Sequence, residues 1–184
     1  MTGLVILLAL IIGAAIWVAG LYNGLVRLKN QARNAWAQID VQLKRRHDLV
    51  PNLVETVKGY AAHEKDTLEN VTRARSRAVQ AGSVDARAQA EQELSGALGR
   101  LMLVVEQYPD LKANQNFLGL QEELTSTENK IGFARQHYND SVMLYNTRIQ
   151  SFPANIIAGT FHFTEETLFE LHDQSAREVP KVAF

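Results

Sequence analysis

The sequence predicts an all-α protein, in which an N-terminal transmembrane helix continues into a long-helix antiparallel bundle of three long helices plus a short C-terminal helix. Two observations favour this fold class. The first 26 residues contain no Lys, Arg, Asp or Glu. Beyond them, apolar residues recur mostly at steps of three and four, which is the spacing of one buried helical stripe. Nowhere does the sequence carry a strand-rich block, a repeat or a low-complexity tract.

The N-terminal apolar segment has the length of a membrane span. Residues 4–26 would form a helix of roughly 35 Å, and a bilayer core is about 30 Å thick. A cleaved signal peptide would need a basic start and a shorter apolar run, but only Thr2 and Gly3 follow the initiating Met1 before the run begins. We therefore expect a signal anchor over residues 1–26.

Charge asymmetry predicts the orientation of this anchor. Arg27, Lys29 and Arg33 follow the span, whereas the N-terminal side carries only the α-amino group. Because positive residues are retained in the cytoplasm, the N-terminus is expected outside and the soluble domain in the cytoplasm. A periplasmic soluble domain is the alternative.

Two long helices follow the span. The apolar stripe predicts that the first runs from residue 28 to about 81, because no turn signal interrupts it. Gly82 is then a C′ glycine and Ser83 an N-cap for a second helix over about 84–107. Residues 108–117 are predicted to form a loop in which Asn114 caps the next helix.

The third long helix carries the most regular pattern, and Pro153 ends it. Aromatic and branched residues recur every seventh position at Phe117, Leu124, Ile131, Tyr138, Tyr145 and Phe152. This is a coiled-coil-like seam. A short helix is expected from Thr164 to about Ser175. The predicted domains are thus the anchor (1–26), a bundle (27–152) and an apolar tail (153–184) that packs on the bundle, a neighbouring subunit or the membrane interface.

Residues 40–64 form the densest polar cluster. Pro51 lies inside the helical pattern and predicts a kink, because it removes a hydrogen bond to the carbonyl of His47. Arg45, Asp48 and Asn52 share one helical face. They are interpreted either as a binding site for polar groups of another helix or as a partly buried salt-bridge network that fixes helix register.

The motifs of common enzymes are missing from the sequence. It contains no cysteine, Glu-x-x-His motif, Gly-rich phosphate loop or nucleophile elbow. A net charge of −1 gives no argument for nucleic acid. We expect no enzyme activity, cofactor, metal, nucleic acid or small-molecule substrate.

Three groups of residues are candidate interaction sites besides the polar cluster. Gly13, Gly20 and Gly24 form a small-residue stripe on the anchor, suited to helix association. Tyr138 and Tyr145 are core or interface aromatics. The tail contributes an apolar surface, with Phe161, Phe163 and Phe169.

Several segments together resemble the LemA family of bacterial membrane proteins. They are residues 30–64 with Leu-Val-Pro-Asn-Leu-Val, YPDLKANQNF (108–117), residues 120–146 and FPANIIAGTFHF (152–163). The resemblance covers nearly the whole chain. It implies a helical bundle anchored in the bacterial inner membrane by one helix, with a short N-terminus outside, and it implies no established activity or catalytic residues.

The function expected from these features is that of a membrane-anchored, self-assembling helical scaffold or interaction protein. Its partners would be further copies of the chain, the lipid bilayer and a membrane protein. The first alternative is a signalling or regulatory adaptor of a membrane partner, for example a membrane protease. The second is an unrecognised metal-binding or enzymatic site around Arg45 and Asp48.

Overall fold

A computed structural model describes residues 1–170, and within them all regular structure is helical. This confirms the predicted fold class. The helices are α1 (Thr2–Lys58), α2 (Lys65–Gln80), α3 (Val84–Val105), α4 (Pro109–Lys112), α5 (Gln115–Gln150) and α6 (Ala154–Thr160).

The chain forms two compact units. The first comprises Met1–Asp40 with Gly132–Leu168, and the second comprises Val41–Ile131 and begins again at Phe169. Helices α1 and α5 each contribute residues to both units. The first unit contains the apolar N-terminal part of α1, the C-terminal half of α5 and all of α6.

In the first unit, α5 runs antiparallel to α1. Trp36 packs against Tyr138 with ring centroids 5.2 Å apart. Leu25 lies eleven positions earlier in α1, and it shares a buried cluster with Tyr145 and Ile149, which come later in α5. The C-terminal end of α5 therefore lies beside the part of α1 that directly follows the apolar segment.

The second unit is a bundle of the end of α1, α2, α3 and the start of α5 around one apolar core. Its fully buried side chains include Leu53, Val57, Val71, Leu94 and Leu101. Ser83 caps α3, because its Oγ accepts from the backbone N–H of Ala86. The Oδ1 atom of Asn114 accepts from Asn116 and Phe117 at the start of α5. Both predicted N-caps are confirmed.

The predicted end of the first helix near Gly82 is wrong. Helix α1 ends at Lys58, and a turn follows in which Ala61 donates to the carbonyl of Val57. Ala61 is nevertheless buried in the same core as Val57 and Leu68. The apolar stripe was therefore read correctly as burial, but it continues across a break into α2.

Two further boundaries differ from the prediction. The expected loop 108–117 contains the one-turn helix α4, which Pro109 begins, because its fixed φ suits a first helical position. The predicted helix from Thr164 is wrong as far as Glu170, where the chain has no regular structure. The rest of that predicted helix lies outside the described residues. The short helix is instead α6, and His162 reverses the chain after it with φ 56°.

Candidate functional site

A cluster of buried charged side chains joins three helices of the second unit. Arg46 and His47 of α1 and Glu91 of α3 are each less than one-tenth exposed. The Nη1 atom of Arg46 lies 3.4 Å from Oε2 of Glu91 and 3.2 Å from Oε2 of Glu128 in α5. The Nη2 atom donates to the Ser95 hydroxyl at 2.7 Å. One guanidinium thus contacts both α3 and α5.

Glu91 is the centre of this cluster. Its Oε1 atom lies 2.6 Å from Nε2 of His47, and its Oε2 atom faces Arg46. Both carboxylate oxygens are therefore already engaged within the chain. Because a buried charge is costly unless it is paired, this arrangement stabilises one register of α1 against α3.

A second polar contact replaces the backbone hydrogen bond that Pro51 cannot make. Proline has no N–H, so the carbonyl of His47, four residues earlier, loses its helical donor. The Nε atom of Arg75 in α2 donates to this carbonyl at 2.6 Å. The proline within α1 thereby creates an acceptor that ties α1 to α2.

The predicted residues of the polar cluster lie on the opposite face of α1. Arg45, Asp48, Pro51 and Asn52 are exposed. Arg45 pairs with Glu123 at 3.2 Å, with both side chains about half exposed. The structure thus brings Arg45 to α5, but it does not gather the four residues into a pocket.

Sequence reasoning missed the residues that are buried beside them. One signal could have found Arg46 and His47: the buried stripe contains Leu43 and Val50, and the positions expected between them at steps of three and four are 46 and 47. No such signal marks Glu91 or Arg75, because each lies on a helix with many other charged residues.

The carboxylates and the guanidinium of the cluster face one another. Residues 1–170 contain no group of three or more His, Asp or Glu side chains able to hold a metal ion. An ion-pair network that connects three helices in this way favours one register between them. The contacts favour the register interpretation of the predicted polar cluster, carried by neighbouring residues.

The first unit contains an aromatic corner next to the end of the apolar segment. The ring of Tyr22 packs against Phe161 and Phe163, with centroids 4.8 and 5.6 Å apart. The Nζ atom of Lys29 lies 6.0 Å from the Phe163 ring centroid and 3.6 Å from Oε1 of Glu166. The structure therefore brings two of the predicted tail residues to α1. Phe169 is buried in the second unit.

Residues 163–168, here called the strap, are held by side chains of α5. The hydroxyls of Tyr138 and Tyr145 donate to the carbonyls of Thr167 and Thr164 at 2.7 and 2.9 Å. Asn146 makes two bonds with the backbone of Glu166, one as donor and one as acceptor. The two predicted tyrosines are thus buried and bind the chain's own backbone.

The Tyr145 hydroxyl is held in its neutral form. Burial raises the pKa of Tyr145, and the carboxylate of Glu166 raises it further, while Arg33 opposes them. A neutral hydroxyl is the form that can donate to Thr164. The burial and the hydrogen bond are therefore mutually consistent.

Two glycines of the predicted stripe, Gly13 and Gly20, are exposed, and Gly24 is half-buried. A Cβ atom added at any of the three would meet no heavy atom within 4 Å other than nearby backbone of α1 itself. Helix α1 is long and apolar enough at its N-terminal end to cross a membrane, by length and composition. The glycines therefore lie on a face of the candidate span that the chain itself leaves open.

Comparison with known proteins shows the family of the chain. The model of the LemA family matches residues 35–184. Protein LemA of Metamycoplasma hominis is 28% identical over 155 residues, which are 82% of this chain and 69% of the relative. Magnetosome protein MamQ of Magnetospirillum gryphiswaldense is 25% identical over 185 residues, with 86% and 67% coverage. Magnetosome protein MamQ 2 of Paramagnetospirillum magneticum is 26% identical over 175 residues, with 81% and 64% coverage.

These relatives are matched over about two thirds of their own length. The family match covers most of the chain. It includes the ion-pair cluster, the strap, and Phe161 and Phe163 of the aromatic corner. The chain is a membrane-associated protein of the LemA type and belongs to the LemA family.

Proposed function

We propose that this protein is a membrane-anchored helical scaffold that self-assembles and presents its bundle to a membrane-protein partner, without catalysis of its own. The observation that carries the proposal is the extent of α1. This single helix of 57 residues carries the apolar segment and also the buried Arg46 and His47. The membrane anchor and the folded domain that follows it, here called the body, therefore share one helix.

The open face of α1 supports self-assembly. At about 100° per residue, Gly13, Gly20 and Gly24 lie within roughly 40° of one another, and Tyr22 points to the opposite side. Tyr22 faces α6 through Phe161. The glycine face is thus turned away from α6 and can approach another helix closely.

The same face continues beyond the apolar segment. Arg27, Gln31, Asn34 and Gln38 follow Gly24 at steps of three and four and are exposed along an open groove of about 460 Å³. Steps of three and four place side chains along one coiled-coil seam, where amides fix register and subunit number. This supports a seam of α1 helices from several subunits.

The test is the subunit number of the full-length protein extracted in detergent, measured by native mass spectrometry. Gly20→Leu should lower the number of subunits, because the larger side chain prevents close approach of the helices. Ala15→Leu is the matched control on the other face and should leave it unchanged. A monomeric wild-type protein at micromolar concentration, or equal effects of the two variants, would contradict self-assembly.

We further propose that the body lies in the cytoplasm of a bacterium, with α1 in the inner membrane. The support is the series Arg27, Lys29 and Arg33 directly after the apolar segment. The adaptor alternative predicts the same anchor but a body that changes state on binding its partner.

A further inference from the structure

Residues 152–161, here called the apolar corner, form an exposed surface without charge. The segment FPANIIAGTF contains no Asp, Glu, Lys, Arg or His. Phe152 is 80% exposed, Ile156 58% and Phe161 52%. Phe152 continues the heptad seam of α5 in sequence, yet it lies outside the core that the rest of that seam forms.

The buried face of this corner is already occupied. Ala154 and Ala158 of α6 pack in the cluster that contains Leu25, Tyr145 and Ile149. Ala154, Ala158 and the half-buried Ile157 therefore face the rest of the first unit. The large apolar residues Phe152 and Ile156 face away from it. The folding of the first unit does not account for these exposed side chains.

The corner lies at the depth where α1 would leave the membrane. The rise from Leu4 to Tyr22 is roughly 27 Å, close to the thickness of a bilayer core of about 30 Å. Phe161 packs against Tyr22 at 4.8 Å between ring centroids. A residue in contact with Tyr22 is therefore at the boundary between hydrocarbon and headgroups.

We infer that the apolar corner is a second membrane contact, which inserts Phe152, Ile156 and Phe161 into the lipid interface beside the end of the span. The occupant of this surface is the bilayer, because the span brings lipid to the corner in every anchored copy. The inference rests on membrane anchoring in the proposed function, but it does not depend on self-assembly.

The surrounding charges fit a lipid interface. Arg27 and Lys29 follow the span and lie at headgroup level if Tyr22 is at the boundary. Lys29 also lies near Phe163, two residues after the corner, and pairs with Glu166. Interfacial segments that bind anionic lipids place apolar side chains on the hydrocarbon side and cations on the headgroup side.

The experiment uses site-directed nitroxide labels, since the chain contains no cysteine. Full-length Phe152→Cys and Ile156→Cys are labelled and reconstituted in vesicles of phosphatidylethanolamine and phosphatidylglycerol. The relaxation of each label by oxygen, which enriches in lipid, is compared with its relaxation by a water-soluble nickel chelate.

Two further labels serve as controls. Phe133→Cys is matched in exposure at 74%, and it lies twelve residues before Tyr145 in α5, roughly 18 Å further from the span. Ile12→Cys lies within the apolar segment. We expect the oxygen-to-nickel ratio to be several-fold higher at Phe152 and Ile156 than at Phe133, and highest at Ile12.

Three outcomes would overturn the inference. Equal ratios at Phe152 and Phe133 would show that water covers the corner. Low accessibility to both reagents, with magnetic broadening between labels of different copies, would show that a second subunit covers it. A nickel-accessible label at Ile12 would show that the apolar segment does not lie in the membrane, which would contradict the proposed function as well. The first two outcomes leave the anchored scaffold intact, so the two failures are distinguishable.

Discussion

At the scale of single residues, Glu91 is the group on which the buried charges depend. It is the acceptor that faces both Arg46 and His47. Glu128 also reaches Arg46, but its side chain is 53% exposed and its interaction is weakened by water. Removal of Glu91 would leave the buried guanidinium with the Ser95 hydroxyl and with this exposed carboxylate as its remaining anionic partner.

Glu91→Ala should therefore lower the free energy of unfolding by about 3 kcal/mol, as is typical when one partner of a buried ion pair is removed. The measurement is chemical denaturation of the full-length protein in detergent, followed by circular dichroism. Glu93→Ala is the control two positions away. Its pair with Arg77 is exposed at both ends, so the change should stay below about 1 kcal/mol. Equal losses in the two variants would contradict the role given to Glu91.

Tyr145 gives a prediction in the alkaline range. Its pKa is raised in the folded state, mainly by burial, so its contribution to stability is complete below the ordinary tyrosine pKa of about 10. That contribution is lost as the pH rises through the folded pKa, because the unfolded chain releases the proton first.

Tyr145→Phe should therefore make the fall in unfolding free energy above pH 10 less steep, although it also removes the bond to Thr164. A residual slope is expected from Tyr108, whose pKa is raised mainly by its hydrogen bond to Glu64. Denaturation at a series of alkaline pH values measures the slope. An identical pH dependence in wild type and variant would count against a neutral buried hydroxyl.

At the scale of helices, the sequence predicted which residues are buried better than it predicted where helices end. Of the six heptad positions, Phe117, Ile131, Tyr138 and Tyr145 are buried as expected, whereas Leu124 is half-buried and Phe152 is exposed. The break after Lys58 was missed, because Val57, Ala61 and Leu68 continue the apolar spacing before, within and after the turn. The apolar periodicity indicates which residues are buried. A turn that keeps the same periodicity cannot be recognised from this pattern.

The candidate site shows a related limit. The sequence identified the polar stretch of α1, but it selected Arg45 and Asp48 where Arg46 and His47 are buried. A shift of one position rotates a side chain by about 100° around a helix. The apolar stripe with Leu43 and Val50 could have indicated the inner face, but the charged partners Glu91 and Glu128 are distant in sequence and only the fold brings them there.

Pro51 and Arg75 provide a test at this scale. Arg75→Met should destabilise the wild-type protein by about 1.5 kcal/mol, because the carbonyl of His47 loses its donor. In a Pro51→Ala background the cost should be at least about 1 kcal/mol smaller, because the N–H of the new alanine can bond that carbonyl.

The double-mutant cycle is measured by denaturant unfolding. Arg73→Met on the exposed side of α2 is the control, and it should change stability by less than about 0.5 kcal/mol in both backgrounds. Additive effects of Pro51→Ala and Arg75→Met would show that Arg75 does not compensate for the proline.

At the scale of the whole molecule, the question is which side of the membrane the body occupies. Val79 is 52% exposed on α2 in the second unit. The cations that follow the span favour a cytoplasmic body. A single cysteine introduced as Val79→Cys should therefore react with a membrane-impermeant maleimide only after spheroplasts are lysed. Reaction in intact spheroplasts would place the body in the periplasm instead.

The strap and α5 contribute in different ways to the contact between them. Tyr138, Tyr145 and Asn146 bind its peptide groups and not its side chains. Most substitutions within the strap should thus be tolerated, apart from those of Phe163 and Glu166, whose side chains contact Tyr22 and Lys29. The three positions of α5 should accept few replacements. Proline at position 166 should also be disruptive, because the backbone N–H there donates to Asn146. The path of the strap is therefore determined largely by side chains of α5.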